Sequence, residues 1–444
     1  MNGELPQGWA SVALGDLFDF KYGKGLPQEK RNAKGSVKVF GSNGVVGVHN
    51  SALTKGPTII VGRKGSVGEV HLSPDGCWPI DTTYFIDEFP EKLPPTYWAL
   101  YLKSLHLGEQ EKSSAIPGIS RDDVYTIEAL LPPLAEQRRI VMKVETLLGK
   151  MDACQQRLAK IPALLKRFRQ SVLDAACTGR LTADWREKNV EAAPVRFGLT
   201  NDDLPESWRT SPLSEVVRVT SGEAFKKSEY SNSGAKLLQI ANVSFGKIIW
   251  EQQNFLPLSY LKSHADLVLK EGDILMALNR PLLNWRIKVA RLTKADLPAI
   301  LYQRVGRFSF IGGERSINAE FLFLYLQSLG FIHELSERLH GTDQPYVNPP
   351  EMLGILFPVP PLLEQQEIVR RVKSLFTLGD RIEARFAEGR KRVDSITQAI
   401  LAKAFRGELV PTEFELAEAE GRSFESAEQL LKRIKVTGSS SKTR

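Results

Sequence analysis

The sequence predicts an α+β fold in which two strand-rich domains are joined by two long, antiparallel, coiled-coil-like helical regions in a pseudo-twofold internal repeat. Three observations support this prediction. A helical pattern occurs twice with an offset of 228 residues (364 − 136), a Leu-Pro-x-x-Trp motif occurs twice, and unlike sequences lie between the copies. A repeated frame around dissimilar segments is typical of a protein that presents two different binding surfaces on one scaffold.

The helical repeat keeps one register throughout. In both copies, apolar residues at three- and four-residue steps predict an amphipathic helix. Two such stripes bury each other most economically as an antiparallel pair, so the repeated positions are predicted to serve helix pairing or the docking of a partner. These positions are Glu136, Gln137, Ile140, Val144 and Leu147 in the first copy, and Glu364, Gln365, Ile368, Val372 and Leu375 in the second.

The two copies differ at one position that affects the backbone. Pro162 lies inside the first helical region and is expected to kink or divide it, because proline removes a helical hydrogen bond. The second copy has no corresponding proline, so one longer helix is predicted there. Gly179 and Gly407 are the expected helix ends.

The segments between the copies are predicted to be α+β domains with their strands first. The first variable block (11–127) has short β-prone runs, one of them at 66–70, and then a helix at 97–107. The second (211–355) repeats that order with a helix at 318–329. A polar connector at 183–203 links the halves, and the Gly- and Ser-rich tail from Val436 is predicted to be disordered.

Composition narrows the function classes. The net charge of +7 permits a polyanionic partner such as nucleic acid. No apolar run is long enough to span a membrane, and the first residues do not resemble a signal peptide. The three cysteines, Cys77, Cys154 and Cys177, form no close pair, which favours a reducing cytoplasmic location.

Glycine-rich and basic loops are the candidate nucleic-acid contacts. Glycine lets a backbone approach a surface closely, arginine offers a two-pronged donor to phosphate or guanine, and lysine adds a point charge. A solvated turn is the competing interpretation for each residue. The candidates are Arg63, Lys64 and Ser66 in the loop 62–68, Ser42 and Asn43 in the loop 41–47, and Asn279, Arg280, Arg286, Thr342 and Gln344 in the second block.

The sequence predicts no catalytic, cofactor-binding or metal-binding residue. Asn348-Pro349-Pro350-Glu351 is similar to an adenine-methyltransferase motif, but Glu351 stands where that motif has its stacking aromatic residue. The histidines are scattered, and no Cys/His spacing matches a zinc site. We therefore expect a chain that is not an enzyme.

The repeated motifs resemble those of the specificity subunit of type I restriction-modification systems. The resemblance rests on Leu131-Pro132-Pro133-Leu134-Ala135-Glu136-Gln137 with its second copy at 359–365, on the paired endings at 176–181 and 404–409, and on both Leu-Pro-x-x-Trp motifs. It implies target recognition domains at 1–130 and 204–358, helical spacer regions at 131–182 and 359–410, the connector at 183–203, and a C-terminal segment at 411–444.

The resemblance also implies partners. Each recognition domain would read half of a bipartite, asymmetric site in double-stranded DNA, and the helices would dock two methyltransferase subunits. Restriction subunits would join for cleavage. This chain would bind no cofactor, and S-adenosylmethionine, ATP and magnesium would enter through the partners. Two alternatives stay open on the residues alone: a self-sufficient DNA-binding regulator, and a methyltransferase in its own right.

Overall fold

The computed structural model describes residues 5–110, 118–189, 204–311 and 317–441. The chain divides into two compact units: unit 1 contains residues 1–159 and 387–444, and unit 2 contains residues 160–386. Unit 1 is therefore built from both ends of the chain, whereas unit 2 is one continuous segment. No helix in the described residues is long and apolar enough to cross a membrane.

Three helices form the stem of the molecule. Stem helix 1 is Leu134–Leu158, stem helix 2 is Ile161–Cys177, and stem helix 3 is Leu362–Phe405. Pro162 lies in the first turn of stem helix 2, where a proline costs no hydrogen bond, so the predicted division of the first region is confirmed. The second copy is one helix of 44 residues, also as predicted.

In unit 1 the stem helices run antiparallel. Gln155 Nε2 on stem helix 1 donates a hydrogen bond to Asp394 on stem helix 3 at 3.2 Å, and Arg139 pairs with Glu413, which lies beyond the end of stem helix 3. Residue numbers thus rise along one helix as they fall along the other. Val144 and Ile400 lie in the same buried core.

Unit 2 repeats this arrangement with its own helices. Arg169 on stem helix 2 pairs with Asp380 and Glu383 on stem helix 3, and Arg371 on stem helix 3 pairs with Asp184 beyond the end of stem helix 2. Gly379 faces stem helix 2, where a Cβ would make an ordinary van der Waals contact with Phe168 at 3.7 Å. The predicted antiparallel pairing of the stem is therefore present within each unit.

The strand-rich part of unit 1 forms a four-stranded antiparallel sheet in the order Lys21–Tyr22, Thr83–Ile86, Thr58–Gly62 and Val70–Ser73. A three-stranded sheet packs beside it, and a two-stranded pair closes the block. The strands of these two sheets are Gly44–His49, Val37–Gly41 and Trp78–Pro79, and Ala10–Ala13 with Glu128–Leu131. The further helices of unit 1 are Leu14–Leu17, Pro95–Ser104, Arg121–Tyr125, Glu413–Glu420 and Ala427–Ser441.

Unit 2 has the same topology although its sequence is different. Its four-stranded sheet has the order Val217–Ser221, Val305–Phe310, Ile274–Ala277 and Val289–Arg291, in which the first and last strands of the block are again neighbours. Its other strands are Phe255–Leu256, Ala235–Leu238 and Ala299–Leu301, the hairpin Leu282–Leu283 and Arg286–Ile287, and the pair Arg209–Pro212 and Leu356–Val359. Its further helices are Ala183–Lys188, Tyr260–Ser263, Ala319–Tyr325, Leu329–Ser336 and Pro349–Leu353.

Three local predictions were wrong. The helix predicted at 318–329 ends at Tyr325, and a second helix begins at Leu329, because the Ser328 hydroxyl caps it by accepting from the Phe331 amide. Residues 436–441 of the tail predicted to be disordered continue the helix Ala427–Ser441, whose Leu430 and Ile434 are buried in the core of unit 1, and residues 442–444 lie outside the described residues.

The third error concerns the strand predicted at 66–70. The strand is Val70–Ser73, and a turn precedes it. Gly68 lies in that turn at φ +77°, where a Cβ would lie 2.2 Å from the Gly108 backbone nitrogen. Close packing against the Gly108 backbone therefore requires a glycine at position 68.

Candidate nucleic-acid interface

Each variable block is fastened to the stem by a tryptophan–glutamate hydrogen bond. In unit 1 the Trp9 indole donates to Glu136 Oε1 at 3.0 Å, and in unit 2 the Trp208 indole donates to Glu364 Oε2 at 2.9 Å. Both tryptophans come from the Leu-Pro-x-x-Trp motifs, and both glutamates come from the repeated helix start. The repeated motifs thus meet in space at the base of each block.

The carboxylate of each pair receives further donors. The Glu413 backbone amide donates to Glu136 Oε2 at 2.9 Å, whereas Thr182 Oγ1 donates to Glu364 Oε1 at 2.7 Å and Arg186 pairs with the same carboxylate. Burial raises the pKa of Glu136 above its ordinary value. Arg186 lies in the predicted connector, so the start of that connector belongs to the anchor.

The adjacent glutamines are equally symmetric. Gln137 Nε2 donates to the Pro132 carbonyl at 2.9 Å, and Gln365 Nε2 donates to the Pro360 carbonyl at 2.8 Å. Of the ten stem positions predicted for pairing or docking, eight are buried within their own unit, and Leu147 and Leu375 are partly buried there. These side chains pack within their own units, and a role of these positions in docking a partner stays a prediction.

In the first block, the structure brings two of the predicted loops together. A Cβ on Gly62 would lie 3.0 Å from Ser42 Cβ, and one on Gly65 would lie 3.4 Å from Ser42 Oγ. The loop 62–68 therefore packs directly on Ser42, while Lys64 and Asn43 are exposed and Ser66 is half-buried. These residues form one continuous surface at the end of the strand Thr58–Gly62.

Arg63 is held in place more firmly than a solvated turn residue. Its NH2 group donates to the Asp81 carbonyl at 2.9 Å, and its guanidinium carbon lies 5.3 Å from the Tyr22 ring centroid and 5.8 Å from that of Tyr84. Burial raises the pKa of Tyr84 to about 12, so this ring stays neutral. Arg121 also stacks on Tyr22, at 5.2 Å.

In the second block, the structure joins Asn279 and Arg280 to the loop that carries Thr342 and Gln344. Asn279 forms a β-bridge with Tyr346, and Arg280 NH2 donates to the Asp343 carbonyl at 3.2 Å. Of these four candidates, Arg280, Thr342 and Gln344 have exposed side chains and Asn279 is half-buried. The predicted residues thus form one surface although more than 60 positions separate them in sequence.

The surfaces of the two blocks correspond. In unit 1 the Ile119 amide bonds to the Arg63 carbonyl and Lys64 bridges to Gly118; in unit 2 the Val347 amide bonds to the Leu278 carbonyl and Asn279 bridges to Tyr346. Lys64 and Asn279 therefore occupy equivalent positions. The scaffold is the same, but one block presents a cation where the other presents an amide.

Arg286 lies on a separate hairpin of unit 2. Its guanidinium carbon is 4.2 Å from the Phe245 ring centroid, and the adjacent Trp285 is 64% exposed. Asn284 and Trp285 have φ values of +52° and +57°, a left-handed conformation that is unfavourable for a bulky side chain. Both Trp285 and Arg286 line a cleft of about 360 Å³ together with Lys166.

Sequence reasoning missed Tyr22, Arg121, Phe245 and Trp285. Tyr22 and Arg121 are brought to Arg63 by sheet pairing and by the helix Arg121–Tyr125, and no local spacing signals this meeting. Within the described residues, His333, Glu334 and Glu337 can approach one another at metal-ligand distance. They are partly or fully exposed on one helix, and no other feature marks them as a metal site.

Comparisons with known proteins agree with this geometry. The family model for the type I restriction modification DNA specificity domain matches residues 6–163 and 205–386, one match for each block with its following helix. The architecture is that of a duplicated DNA-specificity domain, and the chain belongs to the type I restriction modification DNA specificity family. Its role is that of the specificity subunit, the non-catalytic DNA-recognition component of a type I complex.

Individual relatives extend over different shares of the chain. The MjaVIII specificity subunit of Methanocaldococcus jannaschii is 39% identical over 282 residues, which is 64% of this chain and 63% of that protein. The EcoDI specificity subunit of Escherichia coli is 29% identical over 424 residues, 92% of this chain and 90% of that protein. This chain therefore spans slightly less than two thirds of the first relative and nearly all of the second.

Solved structures share the fold. A chain from a type I restriction-modification system, solved for its complex assembly and conformational transition, has a TM-score of 0.65 at 19% identity and covers 91% of this chain and 100% of its own. The HsdS subunit from Thermoanaerobacter tengcongensis has a TM-score of 0.56 at 21% identity, covering 92% and 99%.

Proposed function

We propose that each variable block reads one half of a bipartite, asymmetric site in double-stranded DNA, and that the stem docks two methyltransferase subunits that modify adenine. The observation that supports this most directly is the equivalence of Lys64 and Asn279 on two matching scaffolds. Two blocks that share topology but differ in their exposed side chains suit a site with two unlike halves, since a symmetric reader would present the same residues twice.

The chemistry of the loops fits DNA. Lys64 and Arg280 are exposed cations that can neutralise phosphates, whereas Asn43, Thr342 and Gln344 offer side-chain hydrogen bonds to base edges. Phosphate contacts provide most of the affinity and make it strongly dependent on salt. Base contacts then distinguish one sequence from another.

The stem also offers surface to a protein partner. On the helices of unit 1, Met142 is 61% exposed and Ile396 is exposed; on those of unit 2, Leu164, Leu378 and Ile382 are exposed. Exposed apolar side chains on a helix are a common feature of protein interfaces. We assign them to the methyltransferase subunits, which would bring S-adenosylmethionine; restriction subunits would add ATP- and magnesium-dependent cleavage in the cytoplasm.

Sequencing of methylated adenines in cells that carry the complete system tests the proposal. The expected result is a motif of two specific parts separated by a nonspecific spacer. Replacement of residues 14–127 by the block of a related subunit should change one part and leave the other as it was. A single continuous motif, or a motif that the replacement leaves intact, would contradict bipartite recognition.

Co-purification separates this function from that of an independent DNA-binding regulator. The proposed subunit should be recovered with methyltransferase subunits and should gain affinity for its site when they are bound. A regulator would bind the same site with equal affinity in their absence. No feature of the described structure favours that second function.

A further inference from the structure

Two arginines of the first block stack on a single exposed tyrosine. Tyr22 is 51% exposed, and the guanidinium carbons of Arg63 and Arg121 lie 5.3 Å and 5.2 Å from its ring centroid. Each arginine also contacts a second ring, Tyr84 for Arg63 and Tyr125 for Arg121. We call these five residues the Arg–Tyr cluster. Its guanidinium groups are held by rings that limit their rotation.

The cluster has two positive charges and no carboxylate to balance them. Among the described residues, neither Arg63 nor Arg121 forms an ion pair, and Asp81 contributes only its backbone carbonyl to Arg63. Asp122 and Asp123 follow Arg121 in the first turn of its helix without pairing with it. Asp19, the remaining nearby acid, accepts a hydrogen bond from the Tyr125 hydroxyl.

Within the described residues, no paired carboxylate balances the two positive charges of the Arg–Tyr cluster. Like charges on one ring repel each other, and the attraction of each cation for the electron-rich ring faces offsets this only in part. The Nε atoms of both arginines are buried and have no hydrogen-bond partner within the described structure. An anion bound beside the two half-buried guanidinium groups would reduce the repulsion.

We propose that Tyr22, Arg63 and Arg121 form a clamp for one phosphodiester of the DNA backbone. This inference rests on the proposed DNA-reading function and adds a contact that positions the duplex. A phosphate carries a full negative charge and accepts two-pronged bonds from guanidinium groups, whereas a base edge offers only partial charges. The pairing of two unbalanced cations therefore favours the phosphate over a base.

The test uses the assembled methyltransferase complex and measures binding to two duplexes, one with the recognised sequence and one with an altered first half-site. Arg121→Ala should weaken binding to both by the same factor and lower the slope of log affinity against log salt by about one. Tyr22→Ala should behave like Arg121→Ala. Arg406→Ala is the control, because Arg406 is exposed in the same unit but paired with Glu408.

An unchanged salt slope in Arg121→Ala, or a loss of binding confined to the recognised sequence, would overturn the clamp. If Arg121→Ala proves unstable, Arg121→Lys keeps the charge without the two-pronged donor, and the clamp then predicts weaker binding at an unchanged melting temperature. Equal binding by Arg121→Lys would overturn it. Failure of the wild-type complex to distinguish the two duplexes would instead overturn the proposed function.

Discussion

Trp208 donates its indole hydrogen to Glu364 at 2.9 Å, although the two are 156 positions apart in the sequence. The bond closes unit 2, since it joins the start of the second variable block to the start of the helix that leaves it. Trp9 and Glu136 do the same for unit 1. The most specific sequence motifs of this chain therefore serve assembly of the fold, and they leave recognition to the loops between them.

Trp208→Phe should lower the free energy of unfolding by about 1–3 kcal/mol, because it removes a donor from a buried carboxylate while leaving most of the ring packing. Chemical denaturation monitored by circular dichroism measures the change. Trp285→Phe, at an exposed position, is the matched control and should change stability by no more than about 0.5 kcal/mol. Equal effects of the two substitutions would contradict the stabilising role of the Trp208–Glu364 hydrogen bond.

Glu136→Gln should change the pH dependence of stability. Because burial raises the pKa of Glu136 in the folded protein, its contribution is fully present below the unfolded pKa and is lost as pH rises through the folded pKa. The wild type should therefore gain stability relative to the variant as pH falls through the raised folded pKa towards the ordinary glutamate pKa. Urea denaturation at several pH values measures the difference.

Glu408→Gln provides a control of opposite sign. Arg406 lowers the pKa of Glu408, so the contribution of this carboxylate is present above its unfolded pKa and is lost as pH falls through the folded one. Glu408 is exposed, and its effect should be small. A stability difference for Glu136→Gln that stays constant with pH would contradict the assignment.

Gly179→Ala and Gly407→Ala should both destabilise the protein. Each glycine has a φ of +77°, and an added Cβ would lie 2.3 Å from Pro205 in the first case and 2.8 Å from Pro6 in the second. Gly149→Ala is the control, because that glycine is inside a helix with nothing near it, and the change should stabilise by up to about 1 kcal/mol. Thermal melting shows whether each substitution lowers or raises the melting temperature.

Lys64→Ala and Arg280→Ala should each weaken DNA binding and lower its salt dependence by about one phosphate contact. A phosphate contact carries no sequence information, so each substitution should weaken binding by the same factor on duplexes with an altered first or an altered second half. Binding titrations on the two half-altered duplexes measure this. A loss of binding confined to one duplex would show that the substituted residue reads a base and not a phosphate.

Met142→Asp should reduce assembly with methyltransferase subunits without changing the melting temperature, since the side chain is exposed on stem helix 1. Leu258→Asp places the same charge at an equally exposed position in the second variable block and should assemble normally. Size-exclusion chromatography of the mixed subunits gives the answer. Normal assembly of Met142→Asp would place the docking surface elsewhere.

Sequence alone predicted the stem well because its signals are local. Pro162 divides the first region and the absence of such a proline leaves stem helix 3 continuous, both from rules of backbone geometry. The common topology of the two blocks was harder to predict from the sequence. Their strands pair across long stretches of chain, and their different loops hide the shared strand order.

The candidate interface was predicted only in part for the same reason. Arg63 and Lys64 could be predicted because glycines flank them in the sequence. No sequence motif surrounds Tyr22 or Arg121, and their position beside Arg63 is seen only in the folded structure. The helix-start residues are a different case. Their repetition predicted helix pairing or partner docking, and a repeated buried polar pair such as Glu136 and Gln137 is equally required by a repeated internal anchor.

The composition of unit 1 from both ends of the chain has a consequence for biosynthesis. A ribosome synthesises every residue of unit 2, 160–386, before it makes the residues from 387 onwards that unit 1 needs. Glu136 must wait for the amide of Glu413, and the Gly8 carbonyl must wait for Ala427. The half that is translated first is thus the half that can be completed last.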